Sequence, residues 1–169
     1  MPLPEEYQHT HDIDWFCVIN NKHTHLASNG GIMPKIVNDE ELLGKIQQDV
    51  AQMPVRYKYN LNRKYLDEIL NDGRLRHIEN LEEEILDLLI PISIDFGEYR
   101  LSPKEMVYCW SFIEMAQKGF YSYDRTEDGY HLIAEPTELL DSTKPAEFPP
   151  NIPTLEENVA QSENVILIH

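Results

Sequence analysis

The sequence predicts an α+β fold: an N-terminal β-hairpin, a helical middle, a helix-plus-hairpin unit and an extended C-terminal segment returning as a strand. Three patterns carry that prediction. Apolar residues alternate between Ile13 and Ser28, they recur at helical spacing through the middle, and a capped helix runs into a second alternating pair between Ser102 and Ala134.

In the first pattern Ile13, Trp15, Cys17 and Ile19 alternate with Asp14, Phe16 and Val18. Asn20-Asn21 supplies the turn, because Asn tolerates positive φ, and Lys22 to Ser28 returns. Asn29-Gly30-Gly31 ends that strand, and a short strand around Ile32 to Val37 is expected next. Asn38 is a good N-cap with Glu41 in the capping-box position. Leu42, Leu43, Ile46, Val50 and Met53 then keep helical spacing until Pro54. Val55, Tyr57, Tyr59 and Leu61 alternate with Arg56, Lys58 and Asn60, the pattern of a half-buried strand. Asn62 suits the cap of a short helix carrying Tyr65, Leu66, Ile69 and Leu70, closed by Asp72-Gly73. A further helix carries Ile78, Leu81, Ile85, Leu88 and Leu89 and ends at Pro91.

Ser102-Pro103-Lys104-Glu105 offers a Ser cap, Pro at the first helical position and Glu at the third. The helix it opens carries Met106, Val107, Trp110, Ile113 and Met115, with Trp110 expected inward and Gly119 at the stop. Phe120 to Arg125 and Tyr130 to Ala134 then form a hairpin around Thr126-Glu127-Asp128-Gly129. Residues 1–135 are expected to form a single α+β domain. Residues 136–169 read as an acidic connector with five prolines up to Pro153, one helical turn from Thr154 to Glu157, and an apolar strand, Val165 to Ile168. That strand is expected on the same domain or on a second copy, the latter making a homodimer.

Charge bounds the function. Thirty acidic against 14 basic side chains give a formal net charge of −16. Such a field repels nucleic acid and anionic membrane surfaces and favours a cationic partner. From Tyr121 to His169 the ten acidic residues face only Arg125 and Lys144. No basic n-region or membrane-length apolar run is present, and Cys17 and Cys109 each sit in an apolar pattern, so a cytoplasmic protein with buried thiols is expected.

Four of the seven histidines fall in two triplets, His9-Thr10-His11 and His23-Thr24-His25. Strand alternation puts His23 and His25 on the face of Asp14, Phe16 and Val18, and one hairpin register places Asp14 diagonal to His25. Two histidines and a carboxylate form a ligand set for zinc or iron. His23, His25 and Asp14 are therefore the candidate metal residues, although no cofactor is required by the sequence. His9 and His11 read as part of a polar, partly disordered arm. Tyr57, Tyr59, Tyr121, Tyr123 and Asp124 are the candidate partner-binding residues, because Tyr is enriched at interfaces.

Met115 to Phe120 running into Asp128 to Ile133 resembles the second half of a winged-helix module, which would imply a DNA-binding regulator. The charges of that unit oppose this use: Asp124, Glu127 and Asp128 stand against Arg125 alone on the wing, and the helix is expected to expose Glu105, Glu114, Lys104 and Lys118. Neither a phosphate-binding loop nor a Gly-x-Ser-x-Gly elbow is present. The expected function is thus that of a non-catalytic binding or regulatory protein whose acidic surface serves a basic protein partner, as in a neutraliser. A metal-dependent enzyme built on His23, His25 and Asp14 is the alternative.

Overall fold

The computed structural model describes residues 1–72, 101 and 103–169. The helix expected from Ile78 to Leu89, the Gly73 stop and the Ser102 cap lie outside the described residues.

The first hairpin forms as its alternation requires. Strands β1 (Asp14–Ile19) and β2 (Lys22–Ala27) pair antiparallel, with Phe16 opposite His25 and Val18 opposite His23. Asn20 and Asn21 take φ of 51° and 60°, the positive values of a two-residue hairpin turn. Ahead of it, residues 5–10 form a short helix, α1 (Glu5–Thr10), in place of a disordered arm. Gln8 anchors this helix. Its buried amide donates to the Leu3 carbonyl and accepts from the Met33 N–H, both at 2.8 Å.

Residues 32–37 make turns about Pro34 instead of a strand. Helix α2 (Glu40–Ala51) follows, capped by Asp39, whose carboxylate accepts from the Leu42 N–H at 3.1 Å. Asn38, the expected cap, is occupied by the N-terminus: its side chain exchanges hydrogen bonds with both backbone groups of Leu3. Strand β3 (Tyr57–Leu61) and helix α3 (Arg63–Asp72) come next, and the Asn62 amide between them donates to the Leu132 carbonyl at 2.8 Å.

Helix α4 (Pro103–Gln117) ends at Gly119, whose φ is +107°. The Gly119 N–H donates to Ala116 and the Phe120 N–H to Met115, both at 3.0 Å, which is the Schellman arrangement that needs a left-handed residue. Strands β4 (Tyr121–Thr126) and β5 (Gly129–Leu139) form the second hairpin. It does not project as a wing. Strand β4 lies parallel to β2, so the two hairpins fuse into one sheet of order β1-β2-β4-β5-β3. The connector therefore starts later than Pro136, because β5 continues beyond the end of β4 to pair with β3.

The C-terminal segment returns to this sheet. Thr154 bridges to Val18 along the open edge of β1, with Val18 N–H to Pro153 and Leu155 N–H to Val18, both at 2.8 Å. The expected helical turn at Thr154 is thus extended chain, and helix α5 begins later (Glu157–Ser162). Strand β6 (Leu167–Ile168) pairs parallel to β5 at Tyr130 and His131.

Each sheet face carries its own core. Trp15, Cys17, Leu26, Tyr123, Tyr130 and Leu132 pack with Met33, Leu43, Leu155 and Val165. On the other face Phe16, Phe120 and Val50 form one cluster, and Cys109, Phe112, Ile113 and Ala116 of α4 join Leu66 and Ile133 in another. Trp110 is only half-buried, and Glu105 and Lys118 are buried instead of exposed. Glu105 pairs with Arg63, and the Lys118 ammonium donates to the Val50 carbonyl at the C-terminus of α2. No helix among the described residues is long and apolar enough to cross a membrane.

Trp15 is fully buried, so replacing it with Ala should lower unfolding free energy by about 3–5 kcal/mol in a urea titration. Deleting residues from Asn164 onward removes buried Val165 and β6 and should lower the melting temperature. Light scattering should then still read one chain. A change from dimer to monomer on truncation would instead mark exchange of β6 between copies.

Candidate functional site

The hairpin register brings Asp14 and His25 together. His25 sits 1% exposed between two partners: its Nε2 lies 2.8 Å from Asp14 Oδ1, and its Nδ1 lies 2.6 Å from Ser122 Oγ. An ionised carboxylate only accepts, so Nε2–H donates to Asp14, and in the neutral ring Nδ1 accepts from the Ser122 hydroxyl. Burial alone would raise the Asp14 pKa, but the hydrogen bond and charge of His25 outweigh it and hold the carboxyl below its ordinary value. Ser122 enters through the parallel pairing of β2 and β4, which sets it directly beside His25. Its signal in the sequence is faint: one small hydroxyl in the run Phe120-Tyr121-Ser122-Tyr123.

Carboxylate, imidazole and hydroxyl in a row resemble a hydrolytic triad in composition. Access distinguishes them. Ser122 is 0% exposed, and Phe112 of α4 packs over His25 at 5.9 Å between ring centroids. A hydroxyl that no substrate reaches is not a nucleophile. The row instead locks β1, β2 and β4 together with a satisfied buried polar network.

His23 does not join it. Its ring stacks on Phe148 of the connector, 3.6 Å between centroids and 4° from parallel, and burial lowers its pKa. His9 meets the Gly30 carbonyl at 3.1 Å, and His11 stacks on Tyr7 at 3.8 Å. Of the trio His23, His25 and Asp14, only the last two therefore share an environment. Among the described residues no group of three or more His, Cys, Asp or Glu side chains stands in a metal-holding arrangement. Both cysteines are buried and free, and burial pushes each thiol up to about 12, so each stays protonated.

The residues expected to face a partner divide. Tyr123 and Asp124 are buried: the Tyr123 hydroxyl lies in hydrogen-bond contact with His169 Nε2 at 2.6 Å, and Asp124 accepts from Tyr108. Tyr57, Tyr59 and Tyr121 are half-buried, Tyr57 holding the Ala146 N–H and Tyr121 lying under the Lys22 ammonium.

What faces solvent is the outer side of Asp14, whose side chain is 57% exposed. It opens on a cavity of about 520 Å³ walled by Asp12, Asp14 and Glu114 together with Tyr7, His11 and Phe16. Lys118 also lines this cavity, but its charge is already committed to the Val50 carbonyl and to Glu114, 3.2 Å away. The cavity is open, acidic and partly aromatic, which suits a cationic group.

Two tests probe the polar row. Ser122→Ala strips His25 of its buried partner and should cost about 1–3 kcal/mol in a urea titration. Because the folded-state pKa of Asp14 is depressed, the stability it adds is present above the ordinary carboxylate range and disappears as pH falls through the lowered value. The stability gap between wild type and Asp14→Asn should therefore close on acidification, and a gap that persists in acid would refute this. Neither family models, curated proteins nor solved structures match this chain, so its chemistry is read from its own residues.

Proposed function

We propose that this chain is a non-catalytic acidic binding protein that takes a basic protein partner, with the cavity at Asp14 receiving one of the partner's Lys or Arg side chains. The observation that carries this reading is the wall of that cavity: the carboxylates of Asp12 and Asp14, with Glu114 shared with Lys118, beside the stacked Tyr7 and His11. A guanidinium fits both parts, because it pairs with carboxylates and stacks on aromatic rings.

The surrounding surface supports the same partner. Among the described residues only Glu105 and Asp124 are buried acids. Asp12, Asp14, Asp39, Glu40, Glu127 and Asp128 are exposed. A field of that sign speeds the approach of a basic surface.

The test is a titration of the labelled chain with an arginine-rich peptide, followed by NMR. Shifts should concentrate at Tyr7, Asp12, Phe16 and Glu114 and weaken with salt. Asp12→Asn combined with Glu114→Gln should reduce affinity about three- to tenfold, the size of two exposed ion pairs. Shifts spread evenly over every acidic residue, or an affinity unchanged in the double variant, would overturn the assignment of the site.

A further inference from the structure

We propose that a second cavity, between the β4–β5 hairpin, the loop 29–35 and the end of α5, binds a small organic anion through its carboxylate or phosphate group. This site is separate from the acidic cavity at Asp14 and does not depend on the reading given for it.

The cavity measures about 400 Å³, the size of a small-molecule site, and Arg125, Lys35, His9 and Tyr130 line it. Arg125 is held in place by the backbone. Its side chain lies so close to Gly31 that a Cβ there would meet Cδ at 2.4 Å, Nε at 2.5 Å and Cζ at 2.9 Å. Glycine at 31 is thus the residue that lets the arginine lie in this position. The Asn29 side-chain amide donates to the Arg125 carbonyl at 3.1 Å and fastens the same loop.

The chain has 30 acidic residues to 14 basic, yet among the described residues neither Arg125 nor Lys35 has a carboxylate partner within salt-bridge distance. The Arg125 Nη1 donates to the Asn29 carbonyl at 3.5 Å, a neutral partner that leaves the half-buried guanidinium's charge without a counter-ion. His9, which also lines the cavity, meets the Gly30 carbonyl through its Nδ1 at 3.1 Å.

Tyr130 gives the second, independent observation. It is 2% exposed, it lines this cavity, and its hydroxyl, which faces the equally unpartnered Trp15 indole N–H, has no acceptor of normal geometry among the described residues. A buried hydroxyl without an acceptor is costly, and an oxyanion in the cavity supplies one. Burial keeps the phenol protonated, pushing it up to about 12 against the opposing pull of the Trp15 indole and Arg125, so at neutral pH it is a donor.

Glu163 also lines the cavity and accepts the Lys35 backbone N–H at 3.1 Å, so its carboxylate lies among the cations without pairing with their side chains. Ile32 and Met33 add apolar wall. The ligand matching this set is small, carries one oxyanion group and has an apolar portion.

The experiment titrates the full chain, nitrogen-labelled, with inorganic phosphate and separately with benzoate. Saturable amide shifts confined to Gly31, Met33, Arg125 and Tyr130 are expected with at least one probe, and which probe saturates identifies the phosphate or the carboxylate as the recognised group. Arg125→Gln should weaken binding by about tenfold or more, the loss of a charge-assisted contact. Tyr130→Phe keeps the ring and removes only the hydroxyl, so it should weaken binding about threefold and decides the matter if Arg125→Gln fails to fold. Absence of saturable shifts with both probes, or wild-type affinity in Tyr130→Phe and in a folded Arg125→Gln, would overturn the proposal.

Discussion

The parallel contact of β2 with β4 is the constraint on which the rest of this structure depends. Each hairpin is a local object, and a two-stranded ribbon is marginal in water. Joined along Thr24–Ala27 and Tyr121–Asp124, they become a sheet with two faces to cover: α3 and α4 pack on one, α5 on the other, and α2 contributes Leu43 to one core and Ile46 and Val50 to the other. Parallel pairing needs a crossover, here everything between residues 27 and 121. His25 reinforces the seam in side chains, because it bonds within its own hairpin to Asp14 and across the seam to Ser122.

How much of this was legible in the sequence follows from the range of each interaction. The split of Trp15, Cys17 and Leu26 from Phe16 and His25 is a two-residue period, and the meeting of Asp14 with His25 follows from a two-residue turn. Ser122 was not legible, since its partner is 97 residues away and is chosen by the sheet. The inward face of α4 was ambiguous because the stretch Met106 to Ile113 is apolar almost all round, so periodicity could not prefer Cys109 and Phe112 over Trp110. Asn38 and Asp39 are both good caps. The choice fell to Asp39 because the N-terminal chain, itself folded as a helix about Gln8, claimed Asn38. Thr154 reads as a helix opener locally and becomes an edge cover because β1 has an open side.

The electrostatics sort by depth. Among the described residues the two buried acids are each given a donor from a helix on the same sheet face, Glu105 from Arg63 and Asp124 from Tyr108, whose phenol is held protonated by burial and by that carboxylate. The exposed acids among them stay in water, where their charge is screened. Against this background the two cavities differ in kind. The one at Asp14 continues the sign of the surface inward, whereas the one at Arg125 reverses it. Each is tied to a turn of the first hairpin or its flanks: Asp14 opens β1, and Gly31 follows the end of β2.

The finishing of both flanks of the sheet by the last part of the chain has a consequence for biosynthesis. Residues 153–155 seal the outer side of β1, and β6 completes the side of β5 that β3 leaves uncovered. During translation these residues leave the ribosome after the strands they cover. Until then the nascent sheet shows unpaired strand edges, the surfaces through which partly made chains adhere to one another. The contact of Thr154 with Val18 spans most of the chain length, and long-range closure is slow. The interval between synthesis of β5 and arrival of β6 is therefore when this chain has most need of a chaperone.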